Sequence, residues 1–314
     1  MRIAVAGLAL ALSACATVPA TTPAPAPADE WQLVWSDEFD GDAIDSAKWG
    51  FDVDCWGGGN NERQCYTDRA KNARVEDGKL VIEAHRETMT GPAFPEMLRA
   101  AENANETNTK AFTSARLVTR GKAAWKYGRI EVRAELPQGQ GSWPAIWMLP
   151  KDWSRGGWPL SGEIDILEAV NLGTPCEECP GGRQSTILGT LHFGKRPPEN
   201  VHKGDEMVYP PVLSGYHTYA LEWTADRMVW TVDDLVYATR TSNEWFTAAD
   251  PGDPRAPFDA PFHLILNLAI GGGLAEGRGL GGVDETGFPK DMRIDWVRVF
   301  QCPSDPATAA ACKR

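Results

Sequence analysis

From Trp31 to Gln301 apolar residues recur mostly at every second position and hardly ever with the spacing of a helix. Gly128-Arg-Ile-Glu-Val-Arg-Ala134 puts Ile130, Val132 and Ala134 on one face. Segments 79–84, 219–223, 228–232, 262–267 and 292–300 continue the pattern, and Asp233-Asp234 marks a hairpin turn after Val232. A period of two places successive side chains on opposite faces, so each segment reads as a strand with one face buried. Many short strands with turns between them predict one all-β domain, a sandwich of two antiparallel sheets, over residues 30–301. The 314-residue length would allow a second domain, but sandwiches often run past 200 residues as one unit. Residues 87–110 are polar and poorly patterned, which predicts a surface insertion, with one or two helical turns over 95–105.

Both ends of the chain carry their own signals. Arg2 followed by a short apolar run from Ile3 to Leu12 reads as an export signal, too short to span a bilayer. Leu12-Ser13-Ala14-Cys15 resembles a bacterial lipobox. The expectation is therefore a signal peptide over 1–14, lipidation at Cys15, and a Pro/Ala/Thr-rich tether over 15–29. A lipid anchor of this kind places the protein in the cell envelope, at the outer membrane or in the periplasm. Six further cysteines in an exported chain predict three disulfides. Six cysteines allow 15 connectivities. Pairing between near neighbours is the simplest: Cys55–Cys65, Cys176–Cys179 and Cys302–Cys312, the last closing a tail over 302–314. The net charge of −12 excludes a phosphate-binding groove as the main device, so no nucleic-acid partner is expected, and it disfavours a heavily sulfated glycan. Thirteen tryptophans exceed what a core needs and suit a surface that stacks on sugar rings. A monomer is expected.

The segment Glu163-Ile-Asp-Ile-Leu-Glu168 gathers three carboxylates on one predicted strand. Glu163 and Asp165 share a face by alternation, and Glu168 falls on the other. One extra residue between Asp165 and Glu168, a β-bulge, would return Glu168 to the Glu163 face. Acids crowded on one face raise at least one pKa, and glycoside hydrolysis uses that split: one ionised carboxylate and one protonated acid. Retention of configuration needs the two carboxyls about 5–5.5 Å apart. Trp143, Trp147, Trp153 and Trp158 lie within 20 residues upstream.

These residues resemble glycoside hydrolase family 16, and within it the laminarinase-like enzymes. The resemblance extends to Asp37-Glu-Phe39, Asn60-Asn-Glu62, Tyr66-Thr-Asp68, Val75–Ile82, Thr113-Ser-Ala-Arg116, Gly141–Met148, Thr190-Leu-His192 and Asn267–Gly272. It implies a β-jelly-roll with a concave cleft and retaining, endo-acting hydrolysis of β-1,3-glucan without a catalytic cofactor. Mixed β-1,3/1,4-glucan would be a further substrate. Agarose, porphyran or xyloglucan are the alternative substrates within the family, and a non-catalytic glycan-binding lipoprotein is the alternative outside catalysis. By position, Glu163 is the nucleophile, Glu168 the acid/base, and Asp165 a partner of the nucleophile. Asn60, Arg116, Trp143, Trp147, Trp158 and His192 are expected on the substrate. Glu38, Gly78 and Asp295 match a structural Ca2+ site, to which the Asp gives its carboxylate and the others mainly their backbone carbonyls. The bulge matches the laminarinase branch rather than the strict lichenases. Many relatives carry a Trp shortly after Gly271-Gly-Gly273, where this chain has Leu274-Ala-Glu-Gly277.

Overall fold

A computed structural model describes residue 1 and residues 30–312 of the chain. The expected leader, the Cys15 lipidation site and the tether lie outside the described residues. Seventeen strands follow one another: β1 (Gln32–Asp37), β2 (Gly50–Phe51), β3 (Gln64–Tyr66), β4 (Ala73–Glu76), β5 (Lys79–Pro92), β6 (Thr107–Ser114), β7 (Arg116–Val118), β8 (Gly128–Glu135), β9 (Ser142–Pro150), β10 (Glu163–Ala169), β11 (Thr186–Gly194), β12 (Asn200–Val208), β13 (His217–Trp223), β14 (Arg227–Val232), β15 (Leu235–Thr241), β16 (Phe262–Ile270) and β17 (Lys290–Gln301). They form two sheets. The larger runs β15-β14-β13-β8-β17-β5-β6-β3, with β1 also on β17 and β4 on β5. The smaller runs β12-β11-β10-β9-β16-β7-β2. The pairs are antiparallel except β3 with β6. This is the sandwich of a jelly roll, as expected.

The alternation explains the packing. Ile130 and Val132 on β8, Tyr219 and Leu221 on β13, and Val297 and Val299 on β17 face inward from the larger sheet. Ile146 and Met148 on β9, Ile164 and Ile166 on β10, and Leu264, Leu266 and Leu268 on β16 meet them from the smaller one. Full burial of each such aliphatic side chain contributes about 1.5–3 kcal/mol. The positions between them on the smaller sheet are freed to face outward, and that outer face carries the cleft.

Three disulfides join Cys55 to Cys65, Cys176 to Cys179 and Cys302 to Cys312, the near-neighbour pairing expected. The 87–110 region differs from expectation. It is a long hairpin, because β5 continues past the sheet to Pro92 and turns back as β6. Its tip holds a single 3-10 turn, Glu96–Leu98, within the one or two helical turns expected. Both faces of the distal hairpin meet solvent, so backbone pairing rather than an apolar face specifies it.

Candidate active site

Three consecutive features of β10 aim its acids. Glu163 pairs with His192 and Asp165 with Thr190 across β11, while Glu168 pairs with Leu188. Three steps on β10 therefore oppose two on β11, and the ladder to β9 shifts at the same place. This is the predicted bulge, and all three acids line one cleft. A bulge breaks the regular ladder and leaves backbone groups to be satisfied elsewhere. Here the opposite sheet supplies the donors. The Trp230 indole N–H on β14 donates to the Asp165 carbonyl at 2.8 Å, and the Tyr237 hydroxyl on β15 donates to the Ile166 carbonyl at 3.2 Å. Room for the indole comes from Gly189 on β11, where a Cβ would stand 2.5 Å from Trp230 Cδ1.

Each acid then receives a different neighbour. The Trp158 indole N–H donates to Glu163 Oε2 at 3.0 Å, and the Trp143 indole N–H donates to Glu168 Oε1 at 3.0 Å. His192 Nε2 lies 3.2 Å from Asp165 Oδ2 and 3.6 Å from Glu163 Oε1. Burial, and next the charge of Asp165, raise the pKa of both Glu163 and Glu168 well above the ordinary carboxylate range. Burial opposes the charged form of His192, but its hydrogen bond to Asp165 and the surrounding acids outweigh that and push it up to about 9. The two acids are coupled, so a charge on one opposes ionisation of the other, while the His192 charge favours the ionised form of both. Two such acids on one face cannot both ionise easily, so one of the pair carries the charge while the other keeps its proton.

The cleft, of about 1110 Å³, crosses the smaller sheet from β12 to β7. On the β7 side Arg116 is buried, with its guanidinium 4.4 Å above the Tyr66 ring and 5.4 Å from that of Trp147. The Trp147 indole N–H donates to Asn267 Oδ1 at 2.6 Å, and the Asn267 amide donates to the Tyr66 hydroxyl at 3.0 Å. Asn60 sits exposed on the rim, on a loop shaped by Gly57-Gly-Gly59. Gly58 has φ +63°, and a Cβ there would strike Glu62 Oε1 at 2.0 Å. Trp143 is largely buried, so its part is the hydrogen bond to Glu168 more than a stacking surface. The structure brings Glu163, Asp165, Glu168, Asn60, Arg116, Trp143, Trp147, Trp158 and His192 together on one cleft.

The family model for glycosyl hydrolases family 16 matches residues 60–298. The chain belongs to glycosyl hydrolase family 16. Among relatives of this family 16 chain, the "Beta-glucanase" of Rhodothermus marinus is 42% identical over 279 residues, covering 87% of this chain and 86% of that one. The "Glucan endo-1,3-beta-glucosidase A1" of Niallia circulans is 38% identical over 280 residues, 86% of this chain; the chain spans only 38% of that larger protein. In structure, the chain resembles the laminarinase from Rhodothermus marinus with a TM-score of 0.69 and 41% identity, over 86% of this chain and 97% of that one.

The expected calcium residues lie outside the cleft and do not fit a metal ion as they stand. Asp295 Oδ1 accepts the Lys79 ammonium at 2.8 Å, and its Oδ2 pairs with Arg133. Lys79 Nζ also reaches the Gly78 carbonyl at 3.4 Å. Both Glu38 oxygens are held by Arg298, at 3.0 and 2.8 Å. Side-chain cations of the family 16 chain already meet the charge that a Ca2+ ion would bind. Among the described residues, one other set of potential ligands gathers closely, Glu163, Asp165 and His192 within 4.8 Å, and it is the acid centre itself.

Sequence reasoning missed four contributions. Trp230 and Tyr237 support the bulge from the other sheet. Glu62 is buried beneath Asn60 and accepts from Gln64 at 2.7 Å. Trp56 lines the β7 end of the cleft. At the β12 end stand His202, Asp205 and Glu206, the two acids paired with Arg240 and Arg278. Only Trp56 carried a signal, a tryptophan beside a glycine run.

Proposed function

We propose that the chain is an endo-acting, retaining hydrolase of β-1,3-glucan. The observation that carries this is the bulged strand, which turns Glu163 and Glu168 to one cleft with unequal neighbours. That cleft extends across strands on both sides of β10, so sugar units can bind on either side of the scissile bond. In the first step Glu163 attacks the anomeric carbon while Glu168 gives its proton to the departing glycosidic oxygen. Loss of that proton leaves Glu168 ionised beside the glycosyl ester, ready to take a proton from water. The hydroxide formed attacks the same carbon, releases Glu163 and restores the starting protonation. The protonated His192, held between Asp165 and Glu163, steadies negative charge as it moves. The names of the relatives support β-1,3-glucan as the sugar chain. Reducing-end release from laminarin should be clear for the wild-type protein and all but absent for Glu163→Ala. Equal release from both would overturn the assignment.

The leader and Cys15 support a second part of the reading: a monomeric enzyme tethered by lipid in the cell envelope, acting on polysaccharide within reach of residues 15–29. Metabolic labelling with a fatty acid, lost in Cys15→Ser, tests it.

A further inference from the structure

Outside the acid centre, the most exposed apolar groups at the cleft belong to the tip of the β5–β6 hairpin. Met97 and Leu98 are 40% and 44% exposed, and both line the cleft together with Pro95 and the half-buried Trp56. The hairpin is fixed in that place. Arg99 donates to the Val53 carbonyl at 2.7 Å, the Cys55 N–H donates to the Pro92 carbonyl at 2.7 Å, and Asn108 donates to the Cys55 carbonyl at 3.3 Å. The Cys55–Cys65 disulfide ties the same loop to β3. A tip with no role would be free to carry polar side chains, as the returning strand does from Thr107 to Lys110.

The position of this wall is set by the strand order. Four steps separate β10 from β2 in the smaller sheet, and at about 4.8 Å per step that is roughly 19 Å. Trp56 lies five positions after the end of β2. The tip and Trp56 therefore stand past Arg116, at the end of the cleft away from β12. Pyranose rings show apolar C–H faces, which an indole and a flexible thioether cover well.

We propose that Trp56, Pro95, Met97 and Leu98 form an outer sugar subsite that grips the distal end of the bound glucan and makes the enzyme favour long chains. This rests on the β-1,3-glucan reading above. The occupant is the continuation of the chain held by the catalytic acids, since the wall is part of the same cleft. At about 25 cal/mol per Å², covering on the order of tens of Å² of apolar surface corresponds to about tenfold in kcat/KM.

The test is kcat/KM on linear β-1,3-gluco-oligosaccharides of increasing length, for wild type and the double variant Met97→Ser with Leu98→Ser. Both side chains are solvent-exposed, so the variant should keep its Tm. The expected result is a loss of about tenfold on the longest oligomers and none on the shortest one cleaved. The apolar exchange Met97→Leu with Leu98→Met should restore the preference for length, and Trp56→Ala should reproduce its loss. The same loss at every length, or no loss at any length, would overturn the subsite. Failure of wild type to cleave any member of the series would instead overturn the β-1,3-glucan reading.

Discussion

Trp230→Phe removes one hydrogen-bond donor and little else of the ring's apolar bulk. The donor's acceptor is the Asp165 carbonyl, at the residue where the ladder of β10 breaks. Trp230 is 1% exposed, so water cannot take over the bond. An unsatisfied buried carbonyl costs about 1–3 kcal/mol, and the smaller ring leaves a void beside Gly189 that adds to it. A loss of about 2–3 kcal/mol should lower Tm by roughly 5–10 °C. The larger effect is expected in the chemistry. Asp165 lies between the two catalytic glutamates, and its carbonyl is one of the points that hold the bulge open. A shift there moves Glu163 relative to Glu168 and misaligns the attack, for which about 1 Å of misplacement can cost 100-fold. We expect kcat on laminarin, measured well below the lowered Tm, to fall at least tenfold with little change in KM. Tyr237→Phe, which frees the neighbouring Ile166 carbonyl, should act in the same direction but more weakly, because its bond is longer. The two changes should be non-additive, since they loosen one element. Unchanged kcat with a lowered Tm would show that the bond supports only the fold. Unchanged Tm and kcat would refute the reasoning about the bulge.

Two further perturbations follow from the charges. Glu163, Glu168 and His192 all have raised pKa values in the folded protein, so folding binds protons and stability is lost as pH rises through those values. Tm should decline from about pH 4.5, the ordinary Glu value, upward and flatten in Glu168→Gln, and the alkaline limb of kcat/KM should follow ionisation of the acid that donates the proton; since the His192 charge favours ionised Glu168, an alkaline limb unaltered by His192→Asn would contradict this arrangement. At the Asp295 site, neither Ca2+ nor a chelator should alter the wild-type Tm, whereas Lys79→Ala should cost about 1 kcal/mol or less and make Tm respond to Ca2+; a calcium response in wild type would show that the ion displaces the lysine.

The parts legible in the sequence were those that repeat or cluster locally. Alternation in β8 and β17 was enough for the sandwich, and a spacing of five between Glu163 and Glu168 was enough to require a bulge. The distal hairpin was not legible, because Glu87 to Pro92 and Thr107 to Lys110 lack an apolar face and alternation is the only local sign of a strand. The surroundings of the expected calcium residues were not legible for a related reason. Asp295 was visible, but its partners Lys79 and Arg133 lie 216 and 162 positions away in the chain, and only the pairing of β8 and β5 with β17 brings them together.

The division of labour between the two glutamates shows where local reading ends. Once the bulge has returned Glu168 to the Glu163 face, β10 alone treats the two alike, since each is a glutamate near Asp165. What separates them comes from elsewhere: Trp158 beside Glu163, Trp143 beside Glu168, and His192 from β11 leaning toward Asp165 and Glu163. A strand that bears two identical acids becomes a nucleophile and a proton donor only when the fold gives one more positive company than the other. The bulge makes that possible, because it turns Glu168 toward the cleft on a segment of β10 whose lost backbone bonds are met from the opposite sheet. The catalytic asymmetry is therefore a property of the two sheets packed together, and Trp230 is where their packing reaches the chemistry.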